Sequence, residues 1–155
     1  MSFNEDNIRE ITESVWSTML GMPLEAHWGS IPPGPAQLQV ASWVNISGVW
    51  SGAITIACSS LAARRAAGAM FGMAPEEASA EEVKDAMGEV ANIIGGNLKG
   101  LLQGPATLSL PSVIELIDAA ALPNEGDAVR MARFESEGEP LVVKIITKSM
   151  MPPTA

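Results

Sequence analysis

Five residues between positions 85 and 99 carry the side chains best suited to chemistry in this sequence: Asp85, Glu89, Asn92, Gly96 and Lys99, spaced 4, 3, 4 and 3 apart. At about 100° per residue they fall within roughly an 80° arc of a single helix. The arc presents two carboxylates, an amide, a bare backbone and an ammonium. Carboxylates pair with cations, and an amide donates and accepts hydrogen bonds without titrating. A glycine lets another surface approach the backbone closely. The opposite face carries Val83, Met87, Val90, Ile94, Leu98 and Leu101, the apolar stripe that a helix turns toward a core. An ordinary solvated face accounts for much of the polar arc. It does not account for Gly95-Gly96, each of which costs about 1 kcal/mol relative to alanine inside a helix. Nor does it explain Asn92, a poor helix former where a surface usually carries Glu, Lys or Gln. A local rule broken without visible gain marks a place of function or of close packing.

The elements that must position this arc can be read from periodicity. Ser79 stands where an N-cap belongs and Glu82 can close a capping box, so a long helix is expected over residues 80–102. An earlier helix is marked by Ile8, Ile11, Val15 and Met19, widened by Thr12, Trp16 and Leu20, and stopped by Gly21 and Pro23. Residues 23–35 hold four prolines and two glycines and read as an ordered or lid-like loop. From Gln37 the period changes to two, giving a strand on which Leu38, Val40, Ser42, Val44 and Ile46 share one face. Ser47-Gly48 turns the chain into a second strand over residues 49–58, built around Ile54 and Ile56, which makes a hairpin. Ser59 or Ser60 caps a short helix over 61–71 that ends at Gly72. Strands follow near 107–117, 128–135 and 141–148, with turns at 124–127 and 137–140. Pro111 belongs at a sheet edge or a bulge, because it cannot donate to a ladder. The tail from Met150 should fray. The expected architecture is an α+β layer: a mixed or antiparallel sheet with two long helices and one short helix on it, in a single domain over 1–155. Each half opens with a helix and continues into strands, a weak internal echo.

Composition narrows the partners. The chain has 18 Asp+Glu against 9 Lys+Arg, a formal net charge of -9. A field of that sign repels phosphate backbones and anionic lipid heads, which argues against nucleic acid and membrane surfaces. One cysteine, Cys58, excludes an internal disulfide framework and a multi-cysteine metal site. One histidine, His27, leaves little room for a triad or a zinc centre. The polar, acidic first ten residues do not read as a signal peptide, and no run approaches the roughly 20 apolar residues that cross a bilayer. A cytoplasmic domain is expected.

The run from Asp85 to Lys99, with Glu89, Asn92, Gly96, Asn97 and Lys99 in place, resembles the Glu-x-x-Asn-x-x-x-Gly-Asn-x-Lys signature of the CheC/CheX/FliY phosphatases of bacterial chemotaxis, and it fits the CheX branch best. Residues 11–21 are similar to the family's first helix, and Leu108 to Ile114 resembles the strand after the motif helix. The resemblance implies a CheC/CheX-like fold and hydrolysis of the phosphoaspartate of a CheY-type response regulator. It gives Asn92 the role of orienting the attacking water and Glu89 that of pairing with a lysine of the regulator. Gly96 becomes a partner-binding residue by keeping the helix surface low, while Asp85 and Lys99 either bind the partner on the same face or answer the helix dipole, Asp85 near its start and Lys99 at its end. Neither nucleophile nor metal is implied in this chain; Mg²⁺ would belong to the regulator. A homodimer is implied as well, and the mean hydropathy of +0.20 is compatible with a further buried surface. CheC-like members carry a second motif in the first helix. Here the matching place reads Glu13-Ser-Val-Trp16, and an indole cannot orient water as an amide does, so one site per chain is expected.

The remaining candidates read as structural. His27 has no ligand-spaced neighbours, and Cys58 ends an apolar strand as a small core residue. Trp28, Trp43 and Trp50 suit a sheet core better than a pocket. Arg64-Arg65 is too short for a nucleic-acid patch, and Gly48 and Gly52 lack the context of a phosphate loop. Besides the phosphatase, two functions stay open: a non-catalytic module that docks on a response regulator or flagellar-switch partner through the same helix, and an α+β dimer with a small-molecule site built from residues 23–35.

Overall fold

The computed structural model of the chain describes residues 4–27, 38–115 and 128–148. Helix α1 (Glu5–Leu20) opens with a capping box between Asn4 and Asn7 and closes at Gly21, whose φ of 64° is left-handed. It starts before the apolar stripe does, because Asn4 captures the N–H of Asn7 at 2.8 Å and Asn7 returns the bond at 3.1 Å. Helix α2 (Ser60–Phe71) is capped by Ser59 and ends at Gly72. A short 3-10 turn at Pro75–Glu77 leads to α3 (Ala80–Lys99), which carries the expected Ser79/Glu82 capping box.

Among the described residues seven strands form one sheet: β1 (Glu25–His27), β2 (Val40–Gly48), β3 (Gly52–Cys58), β4 (Ala106–Leu108), β5 (Ser112–Glu115), β6 (Ala128–Ser136) and β7 (Glu139–Thr147). The order is β1-β6-β7-β3-β2-β4, with β5 also on β2. Every pairing is antiparallel, which settles the expected sheet type. The β6–β7 hairpin turns at Glu137 and Gly138, both at positive φ (49° and 83°), the backbone that a tight two-residue connection requires. Arg65 of α2 reaches this turn, 3.8 Å from the Glu137 carboxylate and 3.4 Å from its carbonyl oxygen.

Several boundaries differ from the sequence expectation. Residues 25–27, read as loop, pair with Phe134 and its neighbours as an edge strand. The second strand of the first hairpin starts at Gly52 rather than at 49. Ahead of it, Gly48 adopts φ 151° against Pro105 and Ala106, and Val49 bonds the Pro105 carbonyl oxygen. Helix α3 stops at Lys99, three residues early, because Leu101 and Leu102 bond Leu98 and Lys99 in i+3 fashion. The helix tightens out of α geometry there, leaving Leu101 exposed rather than in the buried stripe. The strand expected over 107–117 is two strands on one partner. Leu108 pairs with Ile46 and Ser112 with Trp43, so three residues, Ser109 to Pro111, oppose Val44 and Asn45. That is a bulge, with Pro111 inside it, as its missing N–H predicts. Trp28, the turn at 124–127 and the tail from 150 lie outside the described residues.

The core sits between one sheet face and the helices. Val44, Ile54, Ile56, Phe134, Val143 and Ile145 meet Ile8, Val15, Trp16 and Leu20 of α1 and the apolar stripe of α3. Helix α2 contributes Ala62, Ala63, Ala66 and Ala67. Such small side chains let it lie close to α3 at little cost in rotamer entropy. Cys58 is fully buried, and burial pushes its thiol up to about 12, as expected of a core residue. Trp50 is buried as well, and Trp43 half-buried.

Candidate functional site

Helix α3 is two-faced as its periodicity predicts. Met87, Val90, Ile94 and Leu98 are 0% exposed and Val83 is 7% exposed. On the far side Asp85, Glu89 and Gly96 are exposed and Asn92 and Lys99 half-buried. Two glycines set this rotation. A Cβ on Gly95 would stand 2.5 Å from Val44 Cγ2 and 3.2 Å from Leu108 Cδ1, so Gly95 lets α3 press against β2 and β4. Gly88, two turns earlier, lies against Pro111 and Val113. With that side fixed on the sheet edge, the polar arc faces outward.

Gly96 is different from its neighbour. Among the described residues nothing lies within 4 Å of where its Cβ would be, so their packing does not demand glycine there. Of the pair that strained the surface account, Gly95 is explained by close packing and Gly96 is not.

The side chains of the arc are not committed to other groups of the fold. Among the described residues, no hydrogen bond or ion pair engages those of Asp85, Glu89, Asn92 or Lys99. Asn97, next to Gly96, instead donates its amide to the Ile93 carbonyl oxygen at 2.8 Å, which keeps it on its own helix. Glu89 and Asn92 are separated by about 4.5 Å along the axis and lie on one face. Together they offer a carboxylate for a cation and an amide able to hold a water by both its donor and its acceptor. No group of three His, Cys, Asp or Glu among the described residues could hold a metal ion, and no helix among them is long and apolar enough to cross a membrane.

The structure adds neighbours that the sequence reading did not single out. An open groove of about 780 Å³ runs beside the N-terminal half of α3. Glu81, Lys84, Asp85 and Glu89 line it from the helix, and Met70 and Phe71 from the end of α2. Gly88, Pro111 and Val113 complete it. Only distant segments meeting in space make this groove, so spacing along α3 could not reveal it.

The first helix shows the other half of the expectation. Trp16 is 0% exposed and donates its indole N–H to Ser136 Oγ at 3.1 Å. Ser136 Oγ in turn lies 3.4 Å from the Pro23 carbonyl oxygen. The position matching Asn92 is therefore a core position, held to β6.

The model of the family described as chemotaxis phosphatase CheX matches residues 40–134, which include all of α3. No curated protein matches the chain. Solved structures do. The chemotaxis protein CheX from Vibrio vulnificus is similar with a TM-score of 0.77 at 19% identity, over 93% of this chain and 95% of that one. A chemotaxis protein CheX from Desulfovibrio desulfuricans gives 0.74 at 23%, over 92% and 97%. The CheX of a CheX-CheY-BeF3-Mg²⁺ complex from Borrelia burgdorferi gives 0.72 at 22%, over 93% and 97%. These likenesses establish a shared fold over nearly the whole length, and with the family match they show that the chain belongs to the chemotaxis phosphatase CheX family.

Proposed function

We propose that the chain removes the phosphoryl group from the phosphoaspartate of a CheY-type response regulator and thereby ends its signal. The observation that carries the reading is the outward face of α3. There an unengaged Glu89 and Asn92 stand beside Gly96, whose missing side chain makes room for no other described residue of the chain. Such a helix is shaped for the close approach of another protein. The Borrelia relative was crystallised with CheY, which supports a regulator as that protein.

In the reaction a water attacks phosphorus in line, the bond to the aspartyl oxygen breaks, and inorganic phosphate leaves with the regulator's carboxylate restored. Catalysis of this kind is positioning plus charge stabilisation. Asn92 supplies positioning: its carbonyl oxygen accepts from the water and its NH₂ donates nearby, so the water is aimed without a titrating base. Glu89, about one turn back, pairs with a cationic side chain of the regulator and fixes the register of docking. Lys99 and Asp85 extend the same surface, and Gly96 admits the regulator's backbone. Mg²⁺ is a ligand of the regulator in this scheme and requires nothing of this chain. The homodimer that the family resemblance implies belongs to the same proposal, and the mass of the purified protein in solution tests it.

The test is the lifetime of phosphoaspartate on CheY-type regulators in Mg²⁺, with no addition, with this protein, and with Asn92→Ala. Faster decay with the wild type alone is the expected result. Equal decay in all three, at concentrations where binding is measured, would make the chain a docking module for a regulator or a flagellar-switch partner.

A further inference from the structure

The groove beside α3 is continuous with the proposed site, because Asp85 and Glu89 belong both to its lining and to the polar arc. Two exposed apolar side chains accompany it. Phe71, at the last position of α2, lines the groove and is 43% exposed, and Leu110, which precedes the lining residue Pro111 in the chain, is 89% exposed. A single exposed leucine needs no explanation. What distinguishes Leu110 is the backbone beneath it. Ser109 donates its N–H to the Asn45 carbonyl oxygen at 2.9 Å and accepts the Asn45 N–H on its Oγ at 2.9 Å. Its hydroxyl then donates to the Leu110 carbonyl oxygen at 3.0 Å. The following Pro111 restricts Leu110 further and itself lines the groove. The bulge therefore displays Leu110 on a rigid support, and little ordering entropy is lost when a partner covers it.

Charge specifies what fits. Along α3 the groove has three carboxylates, Glu81, Asp85 and Glu89, against one ammonium, Lys84. Its other walls, Met70, Phe71, Pro111 and Val113, are apolar. An apolar side chain flanked by a cationic one matches that combination.

We propose that this groove is a second recognition site for the response regulator: an apolar side chain of the regulator, next to a Lys or Arg, seats between Phe71 and the Leu110-Pro111 bulge. The inference rests on the phosphatase reading and adds to it the surface that decides which regulator is accepted. Phe71 and Leu110 are specificity-determining residues and take no part in the chemistry at phosphorus.

The experiment compares wild type, Phe71→Ser and Leu110→Asp, with steady-state dephosphorylation and a direct Kd for the phosphorylated regulator measured on each. Loss of an interface anchor is expected to raise KM and Kd about tenfold in each variant, with kcat within about twofold of wild type. Circular dichroism and thermal melting should match wild type, since both side chains are exposed; Leu110→Ser provides a second, milder variant at the bulge. Unchanged KM and Kd in an active protein would overturn the groove and leave the roles of Asn92 and Glu89 standing. If wild type binds the regulator without accelerating decay, the phosphatase reading fails and Kd alone decides the groove. Absence of both binding and acceleration overturns the two together.

Discussion

Helices α1 and α3 open the two halves of the chain, and the resemblance to CheC-like proteins would give the motif a place in each. They differ in how far the motif's fourth residue is turned from the core. At about 100° per residue, Asn92 lies roughly 140° from the middle of the buried stripe of α3, whereas Trp16 lies within roughly 40° of the middle of that of α1. The stripes themselves are Val83, Ala86, Met87, Gly88, Val90, Ala91, Ile94, Gly95 and Leu98 in one helix and Ile8, Thr12, Val15, Trp16 and Leu20 in the other. The same spacing thus yields an outward amide in one half and an inward indole in the other. A side chain is free for chemistry only where the core does not use it. Trp16 contributes to stability because it is out of water and hydrogen-bonded; Asn92 is spared that role because α3 is already held by its other face.

The sharpest way to break this contrast is Trp16→Ala. We expect a loss of about 3–5 kcal/mol in stability by chemical denaturation, typical of removing a buried tryptophan. A loss near zero would show that α1 does not anchor the fold. Next is Asn92→Ala, expected to lower the rate of regulator dephosphorylation about 10²- to 10³-fold, the range seen when one aligned polar group is removed. Its stability should change by less than about 0.5 kcal/mol, as for surface positions generally. The adjacent glycines sharpen the contrast within α3. Gly95→Ala overpacks Val44, a β-branched residue with little freedom to move, and should cost about 1–3 kcal/mol. Gly96→Ala should raise stability by up to about 1 kcal/mol through helix propensity and yet weaken regulator binding. A variant that melts higher and turns over phosphoregulator no worse would remove Gly96 from the interface.

The smallest effect belongs to Cys58. Its thiol is raised from 9.0 to about 12 by burial, so the folded state holds the proton more tightly than the unfolded chain does. Its contribution is fully present below pH 9 and is lost as pH rises toward 12. Wild type should therefore lose more stability over that window than Cys58→Ala, and at pH 7 the native thiol should resist alkylation.

Much of the fold was written locally. The caps at Ser59 and Ser79, the stops at Gly21 and Gly72 and the stripes of α1 and α3 depend on a few neighbouring residues, so they could be read from the sequence. The bulge at Pro111 was foreseen for the same reason, since a residue without an N–H cannot sit in a ladder. Strand β1 was not foreseen: three residues in a proline-rich stretch become a strand only because β6 offers an open edge. The end of α3 is not legible in the sequence, because Leu101 keeps the apolar period while the backbone leaves α geometry after Lys99.

By itself, then, the sequence determined the helix faces, because a period of 3.6 residues separates what is buried from what is wet, and it assembled Glu89, Asn92 and Gly96 on one of them. Tertiary structure decided two things that spacing cannot carry. It separated Gly95, pressed on Val44, from Gly96, open to solvent. It also brought Phe71 and the Leu110-Pro111 bulge to the flanks of α3. Both depend on contacts between segments remote in the chain, whose distances are set by how the whole core packs.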